Sequence, residues 1–312
     1  MLGSKNILNK TPKILCVGAL TWDSLYRLDQ MPFGEGKFLA SEAIHMASGM
    51  AANAATAASR QGAEVSLWAS VGEDTFANIL IAEIKKSDIN CSAVRRIKGG
   101  KSATATIVLD PKGERLVIAH YDPITQSAPN GLPFSDLGNF DAVLADTRWP
   151  EASVMALMAA REAGIPAILD ADVSPLNVLE KLMPFASHII ASQSGAKIIS
   201  GSSIALDHAV ARISSKYNCF VAITAGSEGV YWHDPSQGAV TFTKTIKVES
   251  IDTLAAGDVF HGVFAFAIGA GMSLEDSIRH SVAAAALKCK KFGGRLGSPS
   301  YSETVAILES NP

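Results

Sequence analysis

The 312-residue sequence contains few cysteines, and its four, Cys16, Cys91, Cys219 and Cys289, include no Cys-x-x-Cys pair. That excludes a zinc knuckle and a disulfide framework and suits a reducing cytoplasm. Basic stripes are missing too: lysines and arginines are scattered and the net charge is -3, so nucleic acid is not an expected partner. The alanine-rich run at residues 282–287 falls far short of the roughly 20 apolar residues that span a bilayer, and no membrane segment is expected. Residues 1–13 lack the apolar core of a signal peptide and read as a flexible tail. Two nucleotide signatures are also absent. No Gly-x-x-x-x-Gly-Lys-[Ser/Thr] occurs, which excludes a P-loop NTPase. The segment Val17-Gly-Ala-Leu-Thr-Trp22 lacks the Gly-x-Gly-x-x-Gly that a dinucleotide-dependent oxidoreductase needs after its first strand.

With 48 % hydrophobic and 18 % charged residues, the chain can bury a sizeable core. Apolar runs at residues 14–18, 65–71, 142–145, 167–170, 188–191, 220–224 and 229–232 read as strands. Between and after them, helices are expected at 50–61, 78–87, 151–163, 256–270 and 274–290, the first and third stopped by Gly62 and Gly164. This alternation predicts an α/β fold, a mostly parallel central sheet with helices on both faces. Residues 38–46, 103–109 and 115–121 break the rhythm and read as a small antiparallel β lid, inserted at about 24–47 and 101–122 of a single domain, 14–312.

The chemistry concentrates in Asp252-Thr-Leu-Ala-Ala-Gly-Asp-Val-Phe-His-Gly262. Ala255, Ala256 and Gly257 have little or no side chain, so their amides can approach an anion at the positive end of the helix that follows. Asp258 lies in the first turn, within reach of a phosphoryl acceptor; as an isolated residue it would read as a helix cap. His261 invites an acid–base role but is expected to point away along the helix.

Together with Ser48-Gly-Met-Ala-Ala-Asn53, this motif resembles the paired signatures of the PfkB, or ribokinase-like, carbohydrate kinases, and the resemblance spans residues 14–299. It implies a ribokinase-like fold and phosphoryl transfer from ATP to a sugar hydroxyl, with Asp258 as base and Ala255, Ala256 and Gly257 as an anion hole. A catalytically silent sugar- and nucleotide-binding regulator on the same fold is the alternative. In Thr224-Ala-Gly-Ser-Glu-Gly229, the residues Thr224, Gly226 and Gly229 match the family's nucleotide turn, though alone they would pass for an ordinary turn. Ser192-Gln-Ser-Gly195 replaces the usual Asn-x-x-Glu, which leaves Ser192 on the nucleotide side. It also leaves Asp170 and Asp172 to hold Mg2+ through water, or to serve as turn residues. The region of residues 284–288 and 293–297 matches the adenine pocket and, in many members, a site for a monovalent cation such as K+; a helix C-terminus with a glycine stop is the equal alternative.

Asp23, Gly49 and Asn53 fall where the family binds sugar hydroxyls, although Asn53 could instead cap its helix. Lys37, His120 and Arg148 make the chain similar to the sulfofructose kinase branch, in which Lys, Asn and Arg read a C6 sulfonate; His120 stands in the Asn position. Arginine's planar fork suits such an oxyanion, and surface solvation is the plainer reading of Lys37 and Arg148. The implied acceptor is 6-deoxy-6-sulfofructose, with ribose, fructose or 2-keto-3-deoxygluconate as alternatives. Apolar lid strands also suggest a homodimer.

Overall fold

The computed structural model describes residues 10–311 except 112 and 202. The expected tail therefore lies mostly outside the described residues; Lys10 pairs with Asp141 at 2.7 Å. The strands are β1 (Lys13–Gly18), β2 (Thr21–Arg27), β3 (Glu42–Ser48), β4 (Glu64–Gly72), β5 (Ile89–Asn90), β6 (Arg95–Ile97), β7 (Ala103–Leu109), β8 (Arg115–His120), β9 (Ala142–Ala145), β10 (Ala167–Ala171), β11 (His188–Ser192), β12 (Phe220–Thr224), β13 (Gly229–His233) and β14 (Val240–Lys244). The helices are α1 (Met50–Arg60), α2 (Thr75–Lys85), α3 (Pro150–Glu162), α4 (Leu176–Leu182), α5 (Gln193–Ser200), α6 (Leu206–Tyr217), α7 (Ala256–Gly269), α8 (Leu274–Cys289) and α9 (Tyr301–Glu309).

A ten-stranded sheet runs in the order β14-β13-β12-β11-β10-β9-β1-β4-β5, with β6 beside β4. From β12 to β5 its pairings are parallel; β13 and β14 are added antiparallel at one edge. Buried on both faces, these strands carry continuous apolar runs, because alternate residues must meet helices on opposite sides. Ile14 and Cys16 face a core shared with α1, α2, α7 and α8. Leu15 and Val17 face another, shared with α3, α4 and α6.

The second sheet, β3-β2-β7-β8, is built from the segments expected to form a lid, and it is called the lid below. Two of its pairings are antiparallel, and the central one, β2 with β7, is parallel. Lid strand β3 begins at Glu42 rather than at residue 38, because its register is set by β2, with Arg27 opposite Glu42 and Thr21 opposite Ser48. Helix α2 starts earlier than its apolar pattern suggests, since Asp74 accepts the Ala77 N–H at 2.9 Å and caps it. An unanticipated α9 opens on a capping box between Ser300 and Glu303.

Parallel strands deliver their carboxyl ends to one edge of the sheet, where open α/β folds bind ligands. Gly18, Asp170, Ser192 and Thr224 all stand at or beside that edge, and Asp146 directly follows β9.

Candidate active site

Helix α7 carries the central carboxylate, and its tight packing on α1 sets the geometry. Residues 51–58 of α1 are all buried, six of the eight alanines. Opposite them stands Gly262, where a Cβ would lie 2.1 Å from Ala54 O, so only glycine allows the two backbones this close. Asp258 lies four residues earlier, on the same face of α7. That brings its Oδ2 within 2.6 Å of Asn53 Nδ2, which donates to it across 205 residues of sequence.

Asn53 is itself oriented: Ser48 Oγ donates to its Oδ1 at 3.2 Å. Asp23 stands on the neighbouring strand, and its Oδ1 accepts from Thr21 Oγ1 at 2.6 Å. Asn53 does not cap α1. The N-cap is Gly49, with φ at 106°, and a Cβ there would meet Ala19 O at 2.6 Å.

Burial pushes the Asp258 carboxyl up to about 7, helped by the charge of Asp170 and opposed by the Asn53 hydrogen bond. Asp258 as a whole residue is half-buried. At this value it can accept a proton near neutral pH.

Ahead of it, Ala255 adopts the left-handed conformation at φ 62° and turns the chain into α7 without a side-chain cap. The N–H groups of Ala255, Gly257 and Asp258 have no acceptor among the described residues, whereas that of Ala256 reaches Thr253 O at 3.2 Å. Unpaired amides at a helix N-terminus are donors for an anion. The cradle is therefore made chiefly of Ala255, Gly257 and Asp258, with Ala256 already engaged.

A cleft of about 560 Å³ opens directly on this cradle, lined by Gly257, Ala256 and Thr253 on one side and by Thr224, Gly226 and Gly229 on the other. Its inner wall is apolar, with Ile246, Val248, Val282 and Ala286 suited to a flat base. Gly226 and Gly229 have φ of 54° and 146°, and a Cβ at Gly229 would lie 2.2 Å from Thr243 O. Ser192 caps α5 by accepting from Gly195 N–H at 3.0 Å and is not among the residues lining the cleft.

Beneath Asp258, the buried His261 Nδ1 lies 3.3 Å from Asp170 Oδ2, and His261 Nε2 lies 3.3 Å from Ile190 O. Burial raises Asp170 well above the usual carboxylate range, with Asp172 and Asp146 adding to it, and lowers His261. Asp170 Oδ1 is buried without a hydrogen-bond partner among the described residues. Among the described residues no three acidic, histidine or cysteine side chains form a metal cluster.

Two further residues beside this edge of the sheet carry no motif signal. Asp146 is buried and accepts from three backbone N–H groups, of Ala19 at 2.8 Å, Ala51 at 3.0 Å and Arg148 at 2.7 Å, which ties β1, α1 and β9 together. Tyr121 is held protonated by burial and stands in the fields of Arg148, Asp146, Asp23 and Asp258. It lines a small recess with Gly18, Ala19 and Arg148. Arg148 donates to Val173 O at 3.0 Å. Lys37 and His120 are not gathered here. Lys37 stands exposed in the loop between β2 and β3 without a hydrogen bond or ion pair among the described residues, and His120 is exposed at the end of β8 near Asp122.

Comparison with known proteins agrees with this geometry. A sequence model described as pfkB family carbohydrate kinase matches residues 11–300. A ribokinase of Bacillus subtilis is 27 % identical over 95 % of this chain and 99 % of its own. A crystal structure from Agrobacterium tumefaciens, provisionally named a ribokinase, superposes with a TM-score of 0.94 at 41 % identity and covers 96 % of this chain and 98 % of that one. Arabidopsis thaliana ribokinase, solved with ribose and ATP, shares the fold at a TM-score of 0.81, with 19 % identity, 96 % of this chain and 99 % of its own covered. Since the family match runs through both the Ser48–Asn53 and the Asp252–Gly262 segments and leaves out little beyond the two ends, the chain belongs to the pfkB family of carbohydrate kinases.

Proposed function

We propose that the chain transfers the γ-phosphoryl group of ATP to a sugar hydroxyl, with Asp258 taking the proton. One observation carries this reading: a carboxylate poised near neutrality and oriented by Asn53 directly follows Gly257, which lines a nucleotide-sized cleft. The sugar oxygen attacks the γ-phosphorus, the bond to the β–γ bridging oxygen breaks, ADP leaves, and the hydroxyl proton passes to Asp258. Free amides of Ala255, Gly257 and Asp258 donate to the charge that develops on the transferred group. Thr224, Gly226 and Gly229 hold the nucleotide through backbone approach, with Ser192 at the neighbouring strand end.

Asp170, with its unpartnered buried oxygen, and the adjacent Asp172 fit a water-mediated contact to Mg2+. Bound with the nucleotide, that ion would offset phosphate charge.

On the acceptor side, Asp23 and Asn53 read hydroxyls beside the Gly49 turn, and Arg148 reads an anionic end, with 6-deoxy-6-sulfofructose as the specific candidate. Closure of the lid would bring Lys37 and His120 to the same group and exclude water as a competing acceptor. A neutral pentose is the second reading. It is favoured by the exposure of Lys37 and His120 and by the end-to-end match to a relative named ribokinase. A homodimer through the lid suits the exposed Leu116, Val117 and Ile118 of β8, and a reducing cytoplasm suits four free cysteines. No helix among the described residues is long and apolar enough to cross a membrane.

The test is a coupled ATP-consumption assay with 6-deoxy-6-sulfofructose, ribose, fructose and 2-keto-3-deoxygluconate. Asp258→Asn should lower kcat on the best acceptor by about 10²- to 10⁴-fold; a loss below about tenfold removes Asp258 as the base. Arg148→Ala should raise KM for the anionic sugar well beyond its effect on neutral ones, and equal effects leave the pentose reading.

A further inference from the structure

Lys288, in the last turn of α8, is fully buried, with 0 % of its side chain exposed. Lysine is almost never found so deep unless its charge is matched. Its Nζ donates to Asp252 O at 2.7 Å, to Asp252 Oδ2 at 2.9 Å and to Lys291 O at 3.2 Å. Three N–H donors thus meet three oxygens. Burial pulls the Lys288 ammonium toward its neutral form and Asp252 opposes that.

Asp252 is itself fully committed. Its Oδ2 also accepts the N–H groups of Gly293 and Gly294, both at 3.0 Å, and its Oδ1 accepts that of Leu254 at 2.8 Å. Ile251 and Asp252 N–H reach Cys289 O at 2.7 and 3.1 Å. The ammonium therefore sits at a knot that joins the end of α8, the 291–294 turn and the first residue of the 252–257 cradle loop.

The same part of the chain is where the family resemblance implies a monovalent cation. An ion such as K+ would seek a carboxylate and carbonyl oxygens, and here those oxygens already bind a charge of similar size. A second cation among them would lie against the Lys288 ammonium, so a K+ ion does not fit this knot.

We propose that Lys288 is a tethered replacement for the monovalent cation. It is a positioning residue: held by Asp252 and Lys291, it keeps the 252–257 loop in the conformation that aims the free amides at phosphate, and it makes the protein indifferent to potassium. The kinetic part of this inference rests on the kinase reading, whereas the ion-binding part stands apart from it.

The experiment compares wild type, Lys288→Ala and Lys288→Met in tetramethylammonium chloride and in potassium or ammonium chloride at equal ionic strength. Wild-type turnover and melting temperature should be the same in all three salts. Lys288→Ala leaves room for an ion, so it should lose roughly tenfold or more in kcat, less than loss of a direct anion-hole donor. It should recover several-fold, saturably, with potassium or ammonium chloride, and melt higher in them. Lys288→Met fills the space without charge and should be slow and unrescued.

Potassium activation of the wild type above about fivefold, a potassium-specific rise in its melting temperature, or an Ala variant that is fully active or insensitive to potassium would overturn the proposal. If neither variant folds, the wild-type melting temperatures decide: no potassium-specific rise supports the inference. Wild type that turns over no sugar overturns the acceptor reading while the melting comparison still judges Lys288.

Discussion

The floor of the site and the lid above it differ in almost every physical respect. On the floor, α1 and α7 meet through alanines and Gly262, and Asp146 gathers three amides, from α1 and from the loops that follow β1 and β9. On the lid, every residue of β8 is exposed, and Lys37 has no partner among the described residues. The lid meets the floor through a small apolar cluster of Leu25, Met46, Ala105, Ile107 and Leu109, with Leu254 and Phe292 packed against it. Arg27 stacks over Phe292 at 4.2 Å and Arg115 reaches Thr253 O at 3.4 Å, so part of this contact falls on the cradle loop itself. The contrast separates two tasks. Proton transfer needs groups held to a fraction of an ångström, which close packing supplies. Sugar entry and discrimination need a surface that can move.

One chemical change at two places gives the sharpest test of this contrast. Gly262→Ala forces a Cβ against Ala54 O and should destabilise the fold by roughly 3 kcal/mol or more. It should lower kcat as well, by moving Asn53 off Asp258. Gly36→Ala, in the lid loop, meets its nearest atom at an ordinary 3.5 Å and should change stability by less than about 0.5 kcal/mol. Chemical denaturation and steady-state kinetics check both. Similar losses at the two positions would erase the distinction between floor and lid.

A second effect is smaller and belongs to the floor alone. Because the Asp258 carboxyl is pushed up to about 7, kcat/KM should fall about tenfold per unit below that pH and level off above it. Asp170→Asn removes a like charge and should move the inflection down; Asn53→Ala removes the bond that favours the carboxylate and should move it up. Stability runs the other way. A raised carboxyl pKa favours the folded state at low pH, and its contribution fades as pH rises from the unfolded value near 4 through about 7. An inflection that ignores both substitutions would detach the pH profile from Asp258.

Smallest of all should be Lys37→Ala and His120→Ala, each altering KM for an anionic sugar by less than about threefold. Either one exceeding Arg148→Ala would shift the weight of recognition from the floor to the lid.

Much of the floor was legible in the chain because its signals are local. The run ending at Gly18, the small residues before Asp258 and the turn from Thr224 to Gly229 each declare a strand end, an amide cradle or a tight turn within a few residues. Asp74, one residue ahead of its helix, and β2, more than half polar, were harder to see, since capping and strand pairing depend on partners elsewhere. Asp146 and Tyr121 had no signal at all. An aspartate after a strand is common, and only the approach of β1 and α1 turns this one into a three-amide bracket. Of the expected amide donors, Ala256 proved to be engaged by Thr253, a detail set by the left-handed turn at Ala255.

By itself, the order of residues determined the alternation of strands and helices, the sheet edge that holds the site and the chemical types available there, because hydrophobic period and turn propensity act over short stretches of backbone. The tertiary structure decided which of those groups meet. Asn53 reaches Asp258 across 205 residues, and Lys288 reaches Asp252 across 36, through packing and burial that no local pattern encodes. Those contacts set the proton affinity of the one carboxylate and the charge state of the one lysine, since both depend on how far water is excluded and on which charges stand near.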